Sequence, residues 1–131
     1  MSEALPVANG ETLSRFLLDK SAFRPSDGTV KHTAFLPPKA NPAVSVYRTT
    51  DLLDADIWSI GREFVGVPRQ KTILGRAEIL ARIVRAQDLD VQPATERHAR
   101  HANIINWPGD TKNRLVAVKL AEQSRLFLVP Q

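Results

Sequence analysis

A chain of 131 residues, 43% hydrophobic and 24% charged, has the size and balance of one globular domain and excludes wholesale disorder. It contains no cysteine, which excludes disulfides, thiolate catalysis and cysteine-ligated zinc or iron–sulfur centres. The formal net charge of +4 suits an acidic partner, protein or nucleic acid, without selecting one.

Residues 1–10 carry Pro6, Asn9 and Gly10 without periodicity and read as a flexible tail ahead of a single domain over 11–131. Their start lacks the basic and apolar segments of a secretory signal. No apolar run approaches the roughly 20 residues that cross a bilayer. The expectation is a cytoplasmic protein that does not engage a membrane.

Over 11–19, Leu13, Phe16 and Leu17 fall at i, i+3 and i+4, a spacing that predicts a short helix. Asp27-Gly28 marks a turn, because glycine accepts a positive φ. Residues 29–36 then alternate as a strand that Pro37-Pro38 ends. Residues 43–49 predict a second strand. Thr50 reads as the cap of a helix with Asp51 and Asp54 in its first turn, where they favour the positive end of the dipole. Leu53, Ile57, Ile60 and Phe64 form its apolar face, and Gly66-Val67-Pro68 is expected to break it.

The stretch 73–89 is ambiguous. Its alanine, leucine, glutamate and arginine content favours helix from about Gly75, while Ala77, Ile79, Ala81 and Ile83 alternate like one face of a doubly buried strand. A short strand over 89–91 and a longer one over 102–107 follow, the latter stopped by Pro108-Gly109. Asp110 or Thr111 caps a helix to about Arg125, with Val116, Leu120 and Ala121 as its stripe. Residues 126–129 predict a last strand. The sum is an α+β domain with a small, mostly antiparallel sheet and two to four helices. Trp58 and Trp107 are expected to cover core rather than stack on bases.

The densest chemistry is Glu96-Arg97-His98-Ala99-Arg100-His101. Histidine titrates nearest neutrality and is the commonest neutral metal ligand. A metal would need a third ligand, from Glu96, His32, Asp90 or Asp110, and Arg97 and Arg100 set positive charge beside any cation. No metal and no cofactor are therefore expected. The same residues suit an anion, because the arginine fork matches phosphate and carboxylate. The candidate anion-binding residues are Arg48, Arg97, His98, Arg100 and His101, with Arg24, Lys31 and His32 as possible contributors. No glycine-rich phosphate loop accompanies them, and no serine sits in a nucleophile elbow.

Two functions from different classes fit. One is a non-enzymatic interaction module whose basic Arg/His surface holds an acidic protein or nucleic acid. The alternative is a small enzyme on a phosphate- or nucleotide-containing substrate. His98 or His101 would then be its general acid/base, and Arg48, Arg97 or Arg100 its anion clamp. Oligomeric state is not encoded in any of these features.

Overall fold

A computed structural model describes residues 4–130. Its strands are β1 (Thr12–Leu17), β2 (Phe23–Arg24), β3 (Thr29–Val30), β4 (Val44–Arg48), β5 (Gly75–Leu80), β6 (Asp90–Pro93), β7 (His101–Ile105) and β8 (Arg125–Leu128). Its helices are α1 (Asp54–Ile60), α2 (Val67–Arg69), α3 (Ala81–Arg85) and α4 (Asp110–Glu122). Six strands make one sheet in the order β6-β7-β4-β1-β5-β8, every pair antiparallel, and β2 with β3 forms a separate hairpin. Gly28 closes that hairpin at φ 71°. The fold is α+β, as composition and pattern predict.

Both faces of the large sheet are covered. Leu13 and Leu17 of β1, Val44 and Val46 of β4, Ala77 and Ile79 of β5, and Ala102 and Ile104 of β7 line one face. Val84 of α3 and Ala117, Leu120 and Ala121 of α4 belong to the same core. On the other face, Phe16 and Tyr47 pack with Ile57, Trp58, Ile60 and Ile73. Ile57, Trp58 and Ile60 belong to one helical rod made of α1, a π-helical stretch Gly61–Gly66 and α2.

Double coverage explains where pattern and structure part. Leu13, Phe16 and Leu17 predict a helix, but they sit on β1 and bury two different faces of it. A strand buried on both sides loses the simple alternation that identifies strands. Residues 75–80 form β5, following the alternation of Ala77 and Ile79 with Arg76 and Glu78 and not the helix-favouring composition, and helix begins only at Ala81. Of the strand expected over 29–36, only Thr29 and Val30 pair; His32–Ala34 turn into a 3-10 helix that buries Ala34 and lead into buried Phe35. Thr50 does not cap α1. Its hydroxyl accepts from the Thr12 amide at 2.8 Å, the helix begins at Asp54, and Leu53 is exposed rather than part of the apolar face.

Gly66-Val67-Pro68 does not break the rod: the π-helical stretch runs to Gly66 and Pro68 lies in the short α2 that continues it, its missing N–H leaving one bond out of the rod near its end. The rod stops at Gln70, whose φ of 54° is left-handed. Pairing in β7 ends at Ile105, so Trp107 lies beyond the strand. Its indole N–H is satisfied by the Ile104 carbonyl at 3.0 Å. In the stretch expected to be a tail, Val7 is buried in the larger core.

Candidate anion-binding site

The basic run spans the connection between β6 and β7, and the structure divides its residues by what they touch. Arg48, on β4, grips Glu11 through two parallel bonds of 2.8 Å and donates further to the carbonyls of Leu5 and Pro6 at 2.7 and 3.2 Å. Its hydrogen bonds hold the Glu11 carboxyl below the ordinary carboxylate range, against the opposing effect of burial. Arg100 donates to the Arg48 carbonyl at 3.0 Å and pairs with Asp51 at 3.1 Å. Arg48 thus ties the N-terminal segment to β4, and Arg100 ties the turn ahead of α1 to the strand ends.

His101, the first residue of β7, is buried with 6% exposure. Its Nε2 is hydrogen-bonded to the Ser45 hydroxyl, and its Nδ1 lies 2.8 Å from the Ala94 carbonyl oxygen. Burial pushes its pKa down; the Ala94 carbonyl opposes this, and Arg97 and His98 add repulsion. His98 is half-buried, edge-on to Phe64 at 4.6 Å and to Tyr47 at 5.8 Å between centroids. Its Nδ1 accepts the Arg100 amide at 3.0 Å, so the ring proton sits on Nε2. Burial, then the charge of Arg100, lowers its pKa, with Glu63 pulling the other way.

Arg97 is different. It is exposed and joins no ion pair among the described residues. It acts on Tyr47, whose hydroxyl is buried without a well-formed hydrogen bond. Burial raises that phenol's pKa, and Arg97 followed by Arg69 draws it down. The structure thus brings together Arg97, His98, His101, Tyr47 and Ser45, and leaves Arg48 and Arg100 engaged with carboxylates. Arg69 comes from α2, far away in sequence, and no local pattern connects it to the run. Ser45 carries no motif of its own. The one available signal was its place on β4, two residues before Tyr47 and facing the same way.

Among the described residues no three histidine, aspartate or glutamate side chains converge as a metal site. Large concavities lie elsewhere. One of about 540 Å³ borders Trp58, Val67 and Ile73, and one of about 740 Å³ lies between the Pro37-Pro38 loop, Trp107 and the start of α4. No described helix is long and apolar enough to cross a membrane. Comparison with known protein families, with characterised proteins and with solved structures finds no match to this chain.

Proposed function

We propose that the protein is a cytoplasmic, non-enzymatic interaction module that holds an acidic partner, protein or nucleic acid, through the Arg97 side of its basic run. The observation that supports this reading is the free state of Arg97. Arg97 is exposed and has no carboxylate partner among the described residues, so the part of its fork not turned to Tyr47 faces solvent, whereas Arg48 and Arg100 pair with Glu11 and Asp51. The His98 Nε2–H, which has no partner among the described residues, is a second donor on the same segment.

Single-stranded DNA and polyglutamate, titrated separately at low ionic strength, test the reading. At least one is expected to bind, with affinity falling steeply as salt rises. Arg97→Glu should abolish that binding, while Arg100→Gln should weaken it far less. Absence of binding to both polyanions at low salt overturns the proposal.

A second reading has one specific observation in its favour. The Ala94 carbonyl fixes the His101 proton on Nδ1, leaving Nε2 to accept from the Ser45 hydroxyl. That is the arrangement of a general base beside a hydroxyl. In a small enzyme acting on a phosphate- or nucleotide-containing substrate, His101 would be the general acid/base and Arg97 the clamp. Hydrolysis of p-nitrophenyl phosphate or nucleotides by the wild type and not by His101→Asn would support it. Equal, blank-level rates for both would remove it.

A further inference from the structure

The register between β1 and β4 covers only Leu13 opposite Arg48 and Ser14 opposite Tyr47. Past that point the strands part, and Arg15 fills the gap. Its Nη1 donates across to the Ser45 carbonyl at 3.0 Å, and its Nε donates to the Ala34 carbonyl at 2.9 Å. Both partners are neutral. No carboxylate pairs with this guanidinium among the described residues, and its Nη2 has no partner there. Burial, reinforced by the charge of Arg69, pushes its pKa down to about 10. A partly buried charge without a counter-ion carries a desolvation cost that a bound anion would offset.

Arg15 lines a cavity of about 180 Å³ together with Arg69, Lys71, Asp19 and Thr33. The left-handed turn at Gln70 brings Arg69 and Lys71 to it from the end of the helical rod, and the Lys71 amide closes that turn on the Gly66 carbonyl at 3.0 Å. Neither cation is in an ion pair among the described residues. The Asp19 carboxylate is occupied by the Ser21 amide at 3.0 Å, and the Thr33 hydroxyl donates to the Ser21 carbonyl at 2.9 Å. Three cations thus face one carboxylate. The space is below the roughly 300 Å³ at which pockets take drug-sized ligands, so a whole nucleotide does not fit and a single tetrahedral oxyanion does.

We propose that this cavity binds one phosphoryl group, held by Arg15, Arg69 and Lys71. The group is either free inorganic phosphate or the head of a small phosphomonoester. The oxyanion supplies the counter-charge that Arg15 lacks, and its oxygens accept from the free Nη2 and from the two outer cations. The site is separate from the Arg97 segment, which does not line the cavity.

Calorimetric titration of the full chain with inorganic phosphate and with phosphoserine, against chloride at matched ionic strength, tests the proposal. One saturable site is expected for at least one of the two phosphates and none for chloride. Binding of phosphoserine alone assigns the site to phosphomonoesters, and binding of phosphate alone assigns it to the free ion. Arg69→Gln and Lys71→Gln, both at exposed positions, should each weaken binding about tenfold, the loss of one charge-assisted hydrogen bond. Asp19→Asn keeps the acceptor for Ser21 and should tighten it. Arg15→Met should abolish binding; if that variant does not fold, the Arg69→Gln/Lys71→Gln pair decides. Arg97→Gln should leave phosphate affinity unchanged, which separates this site from the polyanion surface. No saturable binding of either phosphate, or binding that the double variant leaves intact, overturns the proposal.

Discussion

Nδ1 of His101 donates to the carbonyl oxygen of Ala94 across 2.8 Å. A carbonyl can only accept, so this contact fixes the tautomer of the neutral ring, while burial, against the pull of that same carbonyl, disfavours the charged form. Burial lowers the pKa of His101 and of His98 in the folded state. As pH falls through the unfolded value of about 6.5, the unfolded chain therefore takes up protons first. Stability should be flat above about pH 7 and decline from about 6.5 until the depressed folded values are reached. The slope is at most about 1.4 kcal/mol per pH unit for each ring. Glu11, Asp51 and Asp90, lowered mainly by their arginine partners, act in a separate window below about pH 4.5. Urea midpoints measured across this range should show both declines, and His101→Gln should shrink the first. A wild-type profile that stays flat down to about pH 5 would contradict the burial-driven shifts.

Arg48 does more than pair with Glu11, since it also holds the carbonyls of Leu5 and Pro6 beside buried Val7. Glu11→Gln should cost about 1 kcal/mol, a value discounted because both side chains retain some exposure. Arg48→Ala should cost about 2–3 kcal/mol, because it also releases the segment that carries Val7. Denaturant unfolding checks the order. Amide exchange at residues 7–9 should speed up in Arg48→Ala and barely change in Glu11→Gln. Equal costs for the two variants would mean that the carbonyl contacts contribute nothing.

How much of this was legible depends on how far apart the interacting residues lie. The hairpin turn at Gly28, strand β4, helix α4 and the general α+β class follow from local pattern, because each element carries its own turn, period or stop. β1 and β5 do not announce themselves: Leu13, Phe16 and Leu17 mimic a helical spacing because they bury opposite faces of β1, and β5, although Arg76 and Glu78 alternate with Ala77 and Ile79, runs straight into the helical Ala81–Arg85 with helix-favouring composition throughout. At the basic run, composition marks the segment but not the fate of each cation. Whether Arg100 is free depends on Asp51, and whether Arg48 is free depends on Glu11. Arg15 is less visible still. It sits in a strand between Leu13 and Leu17, and only the splaying of β1 from β4 makes it the wall of a cavity.

Gly61 shows where helix propensity misleads. Alanine is favoured over glycine in a helix by about 1 kcal/mol. A Cβ at Gly61, however, would lie 2.6 Å from the Phe16 ring, and that ring is only 5% exposed within its core. Overpacking of this kind costs about 1–3 kcal/mol, so Gly61→Ala should destabilise the protein despite its propensity. Phe16→Leu in the same chain should recover part of the loss, a coupling that a double-mutant cycle measures. A stabilised Gly61→Ala would mean that Phe16 moves aside freely.

Arg76 and Glu78 should respond in opposite measure to losing their partner. Arg76 is 2% exposed, lies 4.6 Å from the Trp58 ring centroid and 4.8 Å from that of Phe127, and pairs with Glu78 at 2.8 Å and with Asp54 at 2.9 Å. Asp54 is 78% exposed, so solvent screens its attraction and Glu78 is the partner that matters. Glu78→Gln leaves a buried guanidinium with one screened carboxylate and an Nη1 already without a bond. Its expected cost is about 2–3 kcal/mol, below that of a fully buried broken pair because Glu78 keeps some exposure. Arg76→Met removes the buried charge and sets a polarizable apolar chain between the same two rings. Glu78, still partly exposed, can then turn to solvent, and the net cost should stay within about 1 kcal/mol. Chemical denaturation of the two single variants and the pair decides the matter. Arg76→Met proving the more damaging change would show that the cation's contacts with Trp58 and Phe127 outweigh its desolvation.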